Sequence, residues 1–339
     1  MQKLFYWPSK NASLSIPLAL LLGFGVGLRV DTAFLSSLIL VFTFLMIYPT
    51  MIGVKLKEAV NLTHGKVVGL SLLINFFMIP FLAWGLGVAF LAEDPTMIAG
   101  LAIAGLLPTS GMTISWTMLH KGNVPAAVKM TALSLVIGSI VAPFYLLFMV
   151  GQYVPIDLAK TFTTIALIVF LPLLLGHFTF QYLIQKKGPE HFQKIIKPTL
   201  PAFSFWAMLV VVFSSISMKA QALLSNPQIL LKILVTLLLF YIINFTASTL
   251  IARFTLDRPN GIALVYGTVM RNLSIALGLA ITAFGPQAAL VVTLAFILQV
   301  QAAAWYGRIA DRYSLLGPNP TSTQDATKVS DKVKNNSNL

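Results

Sequence analysis

Long apolar runs are the feature of this sequence that most restricts its fold. Several exceed the roughly 20 apolar residues that a helix needs to cross a bilayer. Hydrophobic residues make up 57% of the chain and charged residues only 10%, less than half of the ~25% in a soluble domain. We therefore predict an all-α polytopic membrane protein. Ten transmembrane helices are predicted, at 12–30, 32–53, 67–92, 95–120, 123–151, 157–185, 198–218, 228–252, 259–283 and 286–309.

The basic residues are unevenly distributed between the predicted loops. Lys and Arg number 23 against 10 Asp and Glu, a net charge of +13. With ten spans, seventeen basic residues fall on the side of the termini, and Arg29, Lys160, Lys219 and Lys232 fall on the other. Cytoplasmic loops carry such an excess. The pattern predicts cytoplasmic termini in the plasma membrane, and it accounts for the basic charge without a nucleic-acid partner.

The two ends of the chain are polar. Residues 1–11 are predicted to be a cytoplasmic N-terminus. No small-residue cleavage site follows the first apolar run, which we therefore expect to be retained as a span. Residues 314–339 are rich in Ser, Thr, Asn, Lys and Asp, and they are predicted to form a disordered cytoplasmic tail because they cannot bury a core.

The two halves of the chain, 12–151 and 157–309, resemble each other. The run LINFF of span 3 recurs as IINFT in span 8, and the breaks at 108–111 and 269–272 lie 161 positions apart. Because five spans is an odd number, the second copy enters from the opposite side. Such inverted-topology repeats are common in secondary transporters.

Each repeat contains a helix that is interrupted inside the membrane. Pro108 lacks an amide hydrogen and Gly111 weakens the helix further, while Thr109, Ser110 and Asn272 are expected to cap the half-helices that follow. Lipid cannot satisfy exposed backbone groups, so a broken helix must line a cavity or be buried in protein. The alternative for one break alone is a simple proline kink.

No carboxylate is predicted to lie in the middle of a span. All ten acidic residues fall in loops, span ends or the tail, and the sequence has no cysteine. Carboxylate cation sites, proton relays and acid or thiol catalysis in the membrane therefore lack their groups. We predict no metal, no cofactor and no enzymatic activity. A channel is the alternative to a transporter.

Two cations are instead predicted inside the membrane, Lys129 in span 5 and Arg271 at the break of span 9. Buried charge is costly and normally paired. The expected partners are carbonyls at a half-helix C-terminus, water or an anionic substrate. The alternatives are that Lys129 extends to the span entrance and that Arg271 only ties down loose carbonyls. Gln299 on span 10 is expected to join helices.

Two segments carry a resemblance to a known superfamily. The segment GLLPTSGMTISWTMLHKGNV at 105–124 and the segment GTVMRNLSIALGLA at 267–280 resemble helices 4 and 9 of the bile acid:sodium symporter and arsenite permease superfamily. The whole chain resembles the prokaryotic branch commonly labelled arsenic resistance proteins. The resemblance implies a panel of spans 1, 2, 6 and 7 beside a core of spans 3, 4, 5, 8, 9 and 10. Helices 4 and 9 would cross near the midplane, and rocking of the core against the panel would give alternating access.

The sodium ligands that the resemblance implies are mostly replaced in this sequence. A serine–asparagine pair of the sodium symporters is Thr113 and Ile114 here, and a serine and a threonine of helix 5 are Ala127 and Thr131.

Helices 3 and 9 differ from the sodium symporters as well. A glutamate before the break of helix 9 is Gly267, the glutamine that follows is Arg271, and a glutamine of helix 3 is Asn75. Hard cations need oxygen donors, and a fixed guanidinium would repel sodium. We therefore predict that Arg271, together with Lys129, substitutes for bound sodium.

The resemblance leaves the substrate open between arsenite or a related oxyanion and a small organic anion. Arsenite permeases of the superfamily generally have a cysteine in helix 4, and this chain has none. Coupling is expected to be to protons or absent, with Lys129 and Arg271 as the coupling candidates. The residues predicted to line the crossing and bind substrate are Asn75, Pro108, Thr109, Ser110, Gly111, Thr113, Thr131, Asn244, Arg271 and Asn272.

Overall fold

The computed structural model describes residues 2–54, 63–153 and 157–317, and within these ranges all regular structure is helical. Eight segments are long and apolar enough to cross a membrane, or up to ten if each of two sharply bent pairs counts as one span. The helices are α1 (Gln2–Lys10), α2 (Ala12–Gly27), α3 (Ser36–Met51), α4 (Gly65–Phe90), α5 (Pro95–Leu106), α6 (Gly111–Leu119), α7 (Val124–Val150), α8 (158–187), α9 (Pro189–Ser217), α10 (Ala220–Ser225), α11 (Gln228–Thr255), α12 (Arg258–Val269), α13 (Leu273–Ala283) and α14 (Pro286–Arg312).

Both ends of the described chain contact the helix bundle. The N-terminal segment forms α1, which makes a 99° bend with the next helix and receives a hydrogen bond of 3.0 Å from Trp206 Nε1 at the carbonyl of Phe5. At the other end, Leu316 is buried near Gly261 of α12. Most of the predicted tail, from residue 318 onward, lies outside the described residues.

Helix α9 begins at Pro189, nine residues before the predicted start at 198. Pro198 lies inside this helix, although a proline cannot donate to a carbonyl of the preceding turn. The structure has a π-helical turn just before this proline, at Phe192–Ile196. The wider turn allows the helix to pass the proline without ending.

The helix ends gather at two opposite ends of the molecule. At the distal end, which holds residues 28–36, 91–94, 218–227 and 284–286, Gln221 Nε2 donates to the carbonyl of Leu28 and Lys232 pairs with Glu93. At the terminal end, which holds residues 120–123, 255–258 and 312–317, Arg258 pairs with Asp311 at 2.6 Å.

The interrupted helices form the centre of the bundle. Every residue from Met97 to Leu106 of α5 and from Gly261 to Val269 of α12 is buried. Small residues allow this packing, since helices without a bulky side chain between them approach closely. A Cβ on Gly100 would stand 2.5 Å from the carbonyl oxygen of Ala288 in α14.

We expect Gly100→Ala to destabilise the protein and Gly85→Ala to leave it as stable or more stable. Both glycines lie inside helices, but nothing lies within 4 Å of a Cβ on Gly85. Alanine has the higher helix propensity at both positions, whereas at Gly100 it must push backbone apart, which costs about 1–3 kcal/mol. Thermal unfolding of the two variants in detergent checks this. Equal unfolding temperatures for the two variants would contradict the close packing of Gly100 against α14.

Candidate functional site at the helix crossing

The two helix interruptions lie directly against each other. The amide of Asn272 donates to the carbonyl of Leu107 at 2.9 Å, so the break between α12 and α13 touches the break between α5 and α6. Helices α5 and α6 are bent by 55° relative to each other, whereas α12 and α13 together still qualify as one 26-residue span. Both predicted interruptions are therefore confirmed, with unequal bends.

Two of the three predicted caps are present. The Ser110 hydroxyl accepts from the amide of Met112 at 3.2 Å, and the Asn272 side chain accepts from the amide of Ile275 at 3.4 Å. The prediction for Thr109 is wrong, because this residue precedes the cap in a left-handed conformation, with φ of 50°. Its hydroxyl is buried and has no hydrogen-bond partner in the structure.

Arg271 is fully buried at the crossing, and its guanidinium is held almost entirely by oxygen atoms of the interrupted helices. It donates to the carbonyls of Ala104 at 3.3 Å and of Gly105, which end α5, and to the carbonyl of Thr268 at 3.1 Å, which ends α12. It also donates to Oδ1 of Asn75. Because helix C-termini carry partial negative charge, two helix dipoles and one amide oxygen stabilise this cation.

The backbone of Arg271 is held as firmly as its side chain. The Gln299 side chain of α14 accepts from the Arg271 amide at 2.8 Å and donates to the Arg271 carbonyl at 3.2 Å. Tyr241 of α11 in turn donates to Gln299 at 3.3 Å. The sequence assigned Gln299 only to helix packing, and no pattern in it pointed to Arg271.

Asn75 and Asn244 both contact the end of α12. Asn75 lies in a π-helical turn, Ile74–Met78, and its Nδ2 donates to the carbonyl of Gly267 at 3.0 Å. Nδ2 of Asn244 reaches the next carbonyl, that of Thr268, at 3.5 Å. Asn75 therefore bridges α12 and the Arg271 guanidinium, while Asn244 contacts α12 and accepts from Ser248 of its own helix at 3.2 Å.

The remaining predicted residues surround the crossing with different partners. Thr113 donates to the carbonyl of Tyr266 at 3.3 Å, whereas Thr131 donates to the carbonyl of Ala127 within its own helix. Pro108 packs near Gly138 of α7. Gly111 is exposed.

Lys129 lies near the terminal end rather than beside Arg271. Its ammonium donates to the carbonyl of Thr63 at 2.6 Å. Asn75 lies ten residues beyond Gly65 along α4, about 15 Å at 1.5 Å per residue. The two predicted coupling candidates are therefore not brought together.

At the crossing, α6 is partly exposed, whereas α13 is enclosed by other helices. Helix α13 packs against α3 and α8, and a Cβ on Gly278 would stand 2.5 Å from Thr43 Cγ2. Helix α6 makes its main contacts with α7 and α12, and Gly111 and Ser115 are exposed on it. Among the described residues, no group of three His, Asp or Glu side chains is arranged to hold a metal ion.

The chain is similar to several curated proteins. It is 27% identical to the arsenical-resistance protein Acr3 of Alkaliphilus metalliredigens, over 76% of either chain. It is also 27% identical to the protein YbaS of Bacillus subtilis, over 75% of this chain and 82% of YbaS. The sodium-dependent transporter YocS of B. subtilis is 23% identical over 69% of either chain.

A family model matches more than half of the chain. The match covers residues 40–226 and is to the sodium bile acid symporter family. Together with apolar helices that pass the membrane several times, this match identifies a multi-pass membrane protein, and the chain belongs to the sodium bile acid symporter family of transporters.

Proposed function

We propose that this protein is a secondary transporter that exports arsenite or a related oxyanion across the plasma membrane by alternating access, without sodium. The observation that carries the proposal is the position of Arg271. A fixed cation lies where the C-termini of α5 and α12 converge, and its donors occupy the carbonyls of Ala104, Gly105 and Thr268. A mobile cation would need these same oxygen atoms, so the guanidinium both replaces and excludes it.

The transport cycle follows from two groups of helices. In our proposal, ten spans form two inverted five-helix repeats, with α2, α3, α8 and α9 as the panel and the other spans as the core. The closed contact of α13 with α3 and α8, beside a partly exposed α6, supports a conformation that is open on one side. Repeat symmetry then places α6 against α2 and α9 in the opposite conformation. With cytoplasmic termini, the open side here faces the cytoplasm.

Substrate would bind beside the half-helix N-termini at the crossing. Ser110, Gly111 and Asn272 lie where α6 and α13 begin, and such ends favour anions and polar neutral ligands. The arsenical-resistance proteins among the relatives support arsenite as the substrate. Without cysteine, the chain would hold arsenite as a trihydroxide through hydrogen bonds.

The second candidate is transport of a small organic anion. It is favoured by the absence of cysteine, since arsenic(III) binds thiolate well, and by the positive charge at the crossing. A channel is less consistent with the closed contact along α13, because a channel needs a path that is open on both sides.

The arsenic content of cells that lack their own exporter tests the first candidate. Wild-type protein is expected to lower the content, and Arg271→Ala is expected not to, with both proteins measured in the membrane fraction. Unchanged arsenic in cells with wild-type protein in the membrane would reject arsenite. Uptake of organic anions into proteoliposomes would then test the second candidate.

We expect Lys129→Gln to retain at least about half of the wild-type transport rate. The ammonium binds the carbonyl of Thr63, far along α4 from the crossing, and one hydrogen bond to a charged group contributes only about 1.5–3 kcal/mol to stability. Initial rates in proteoliposomes at several pH values check this. Loss of the pH dependence in Lys129→Gln would instead make Lys129 the proton carrier.

A further inference from the structure

A polar cavity lies at the distal end, away from the helix crossing. It has a volume of about 500 Å³ and lies between the turn after α2, the α9–α10 connection and the start of α14. Arg29 and Lys219 line it from two sides, together with Asp31, Thr32 and Pro286. This volume falls within the range of pockets for small molecules.

The two cations of this cavity have no carboxylate partner in the described part of the chain. No ion pair within 4.0 Å involves either Arg29 or Lys219. Asp31 lies nearby, but its carboxylate accepts from the amide of Ala33 at 2.9 Å. The cavity therefore has a net positive charge, and its cations are available to a ligand.

A buried hydroxyl in the cavity wall also lacks a partner. Thr32 is only 4% exposed, and its Oγ1 makes no hydrogen bond in the structure. Thr32 lines the cavity, but its Oγ1 has almost no accessible surface, so the hydroxyl belongs to the wall and does not contact a ligand in the cavity.

The start of α14 adds a further favourable feature. This helix begins at Pro286 in the cavity wall and has 27 residues. Pro286 has no amide hydrogen, so an anion there would interact with the partial positive charge of the helix start and not with an amide of this residue.

We propose that this cavity is a binding site for a small oxyanion, a carboxylate or a phosphate, held by Arg29 and Lys219 from two sides. The bound anion would connect the α2–α3 turn and α9 with α14, and it would stabilise the conformation described here. The site is separate from the crossing, and its occupation does not depend on which substrate crosses the membrane.

The absence of cysteine allows a direct test of the cavity's charge. A single reporter, Ala33→Cys, places a thiol in the cavity wall. Its reaction rates with an anionic sulfonatoethyl and a cationic trimethylammonioethyl methanethiosulfonate are compared in the full-length protein. We expect the anionic reagent to react faster. Adding Arg29→Gln and Lys219→Gln should lower the anionic-to-cationic ratio at least about tenfold, because each charge removed attracts the anionic reagent and repels the cationic one.

Arg308→Gln is the matched control, because it removes the same charge near the terminal end. It should leave the ratio unchanged. Equal ratios in the parent and the double variant would overturn the proposal.

Protection by added ligand tests binding itself. Inorganic phosphate and succinate should each slow labelling of the reporter by neutral N-ethylmaleimide, and the double variant should abolish the effect. Failure of both anions to protect would overturn the proposal.

The lipid composition separates the two sources of such an anion. In phosphatidylcholine nanodiscs, protection by added phosphate or succinate assigns the site to a soluble anion. Protection by phosphatidylglycerol without any added anion assigns it to a lipid headgroup.

Discussion

Replacing Arg271 with methionine is expected to abolish transport and to destabilise the protein by about 3–5 kcal/mol, the range for removing one partner of a buried charged interaction. The side chain is fully buried, and methionine would leave the carbonyls of Ala104, Gly105 and Thr268 without their donors. Thermal unfolding and transport in proteoliposomes measure the two effects.

Arg271→Lys provides the control that keeps the protein folded. A lysine retains the positive charge but cannot reproduce a planar fork that reaches four acceptors. We expect it to recover most of the stability and part of the transport. Full transport by Arg271→Met would show that the crossing needs no fixed cation, and would contradict the proposed role.

Replacing Asn75 with leucine is expected to have the second largest effect, a loss of about 2–4 kcal/mol of stability together with most of the transport. Asn75 Oδ1 accepts from the guanidinium and Nδ2 donates to the carbonyl of Gly267. Breaking a hydrogen bond to a charged group and orphaning a buried carbonyl each cost about 1–3 kcal/mol.

Asn244→Leu is the matched control for this prediction. It makes the same substitution on the other side of α12, but its contact with the Thr268 carbonyl is 3.5 Å long and Arg271 is not among its partners. We expect a clearly smaller loss of stability in a parallel melt. Equal losses for the two variants would show that Asn75 acts through helix packing and not through the guanidinium.

The interruptions were predictable because local chemistry determines them. Pro108 cannot donate an amide hydrogen, and Ser110 and Asn272 are residues that cap helix N-termini. The sequence narrowed the possible partners of Arg271 without deciding between them. With no acid in the spans, carbonyls at a helix C-terminus were one of three possibilities. The structure selects that possibility.

The position of Lys129 could not be predicted in the same way. Its spacing within the fifth span suggests depth in the membrane, but the direction of a long flexible side chain depends on the neighbouring helices. The carbonyl that it binds, of Thr63, belongs to a turn 66 positions away in the sequence. No local pattern connects the two residues.

The π-helical turns were missed although the sequence contains a signal for them. The three turns, at Ile74–Met78, Ala166–Phe170 and Phe192–Ile196, each end two residues before a proline, namely Pro80, Pro172 and Pro198. Not every proline in an apolar run has this effect, since Pro17, Pro49 and Pro143 lie inside helices without a π turn. One of these turns contains Asn75, the side chain that bridges to Arg271.

We propose above that Arg271 takes the place of a bound cation. It can be tested without knowing the substrate, because any ion that binds only the folded state raises the unfolding temperature. We would compare thermal unfolding of the wild-type protein in sodium chloride and in choline chloride at equal ionic strength, with Arg271→Gln measured in parallel. We expect sodium to give the wild-type protein no stabilisation. A saturable, sodium-specific rise in its unfolding temperature would contradict it.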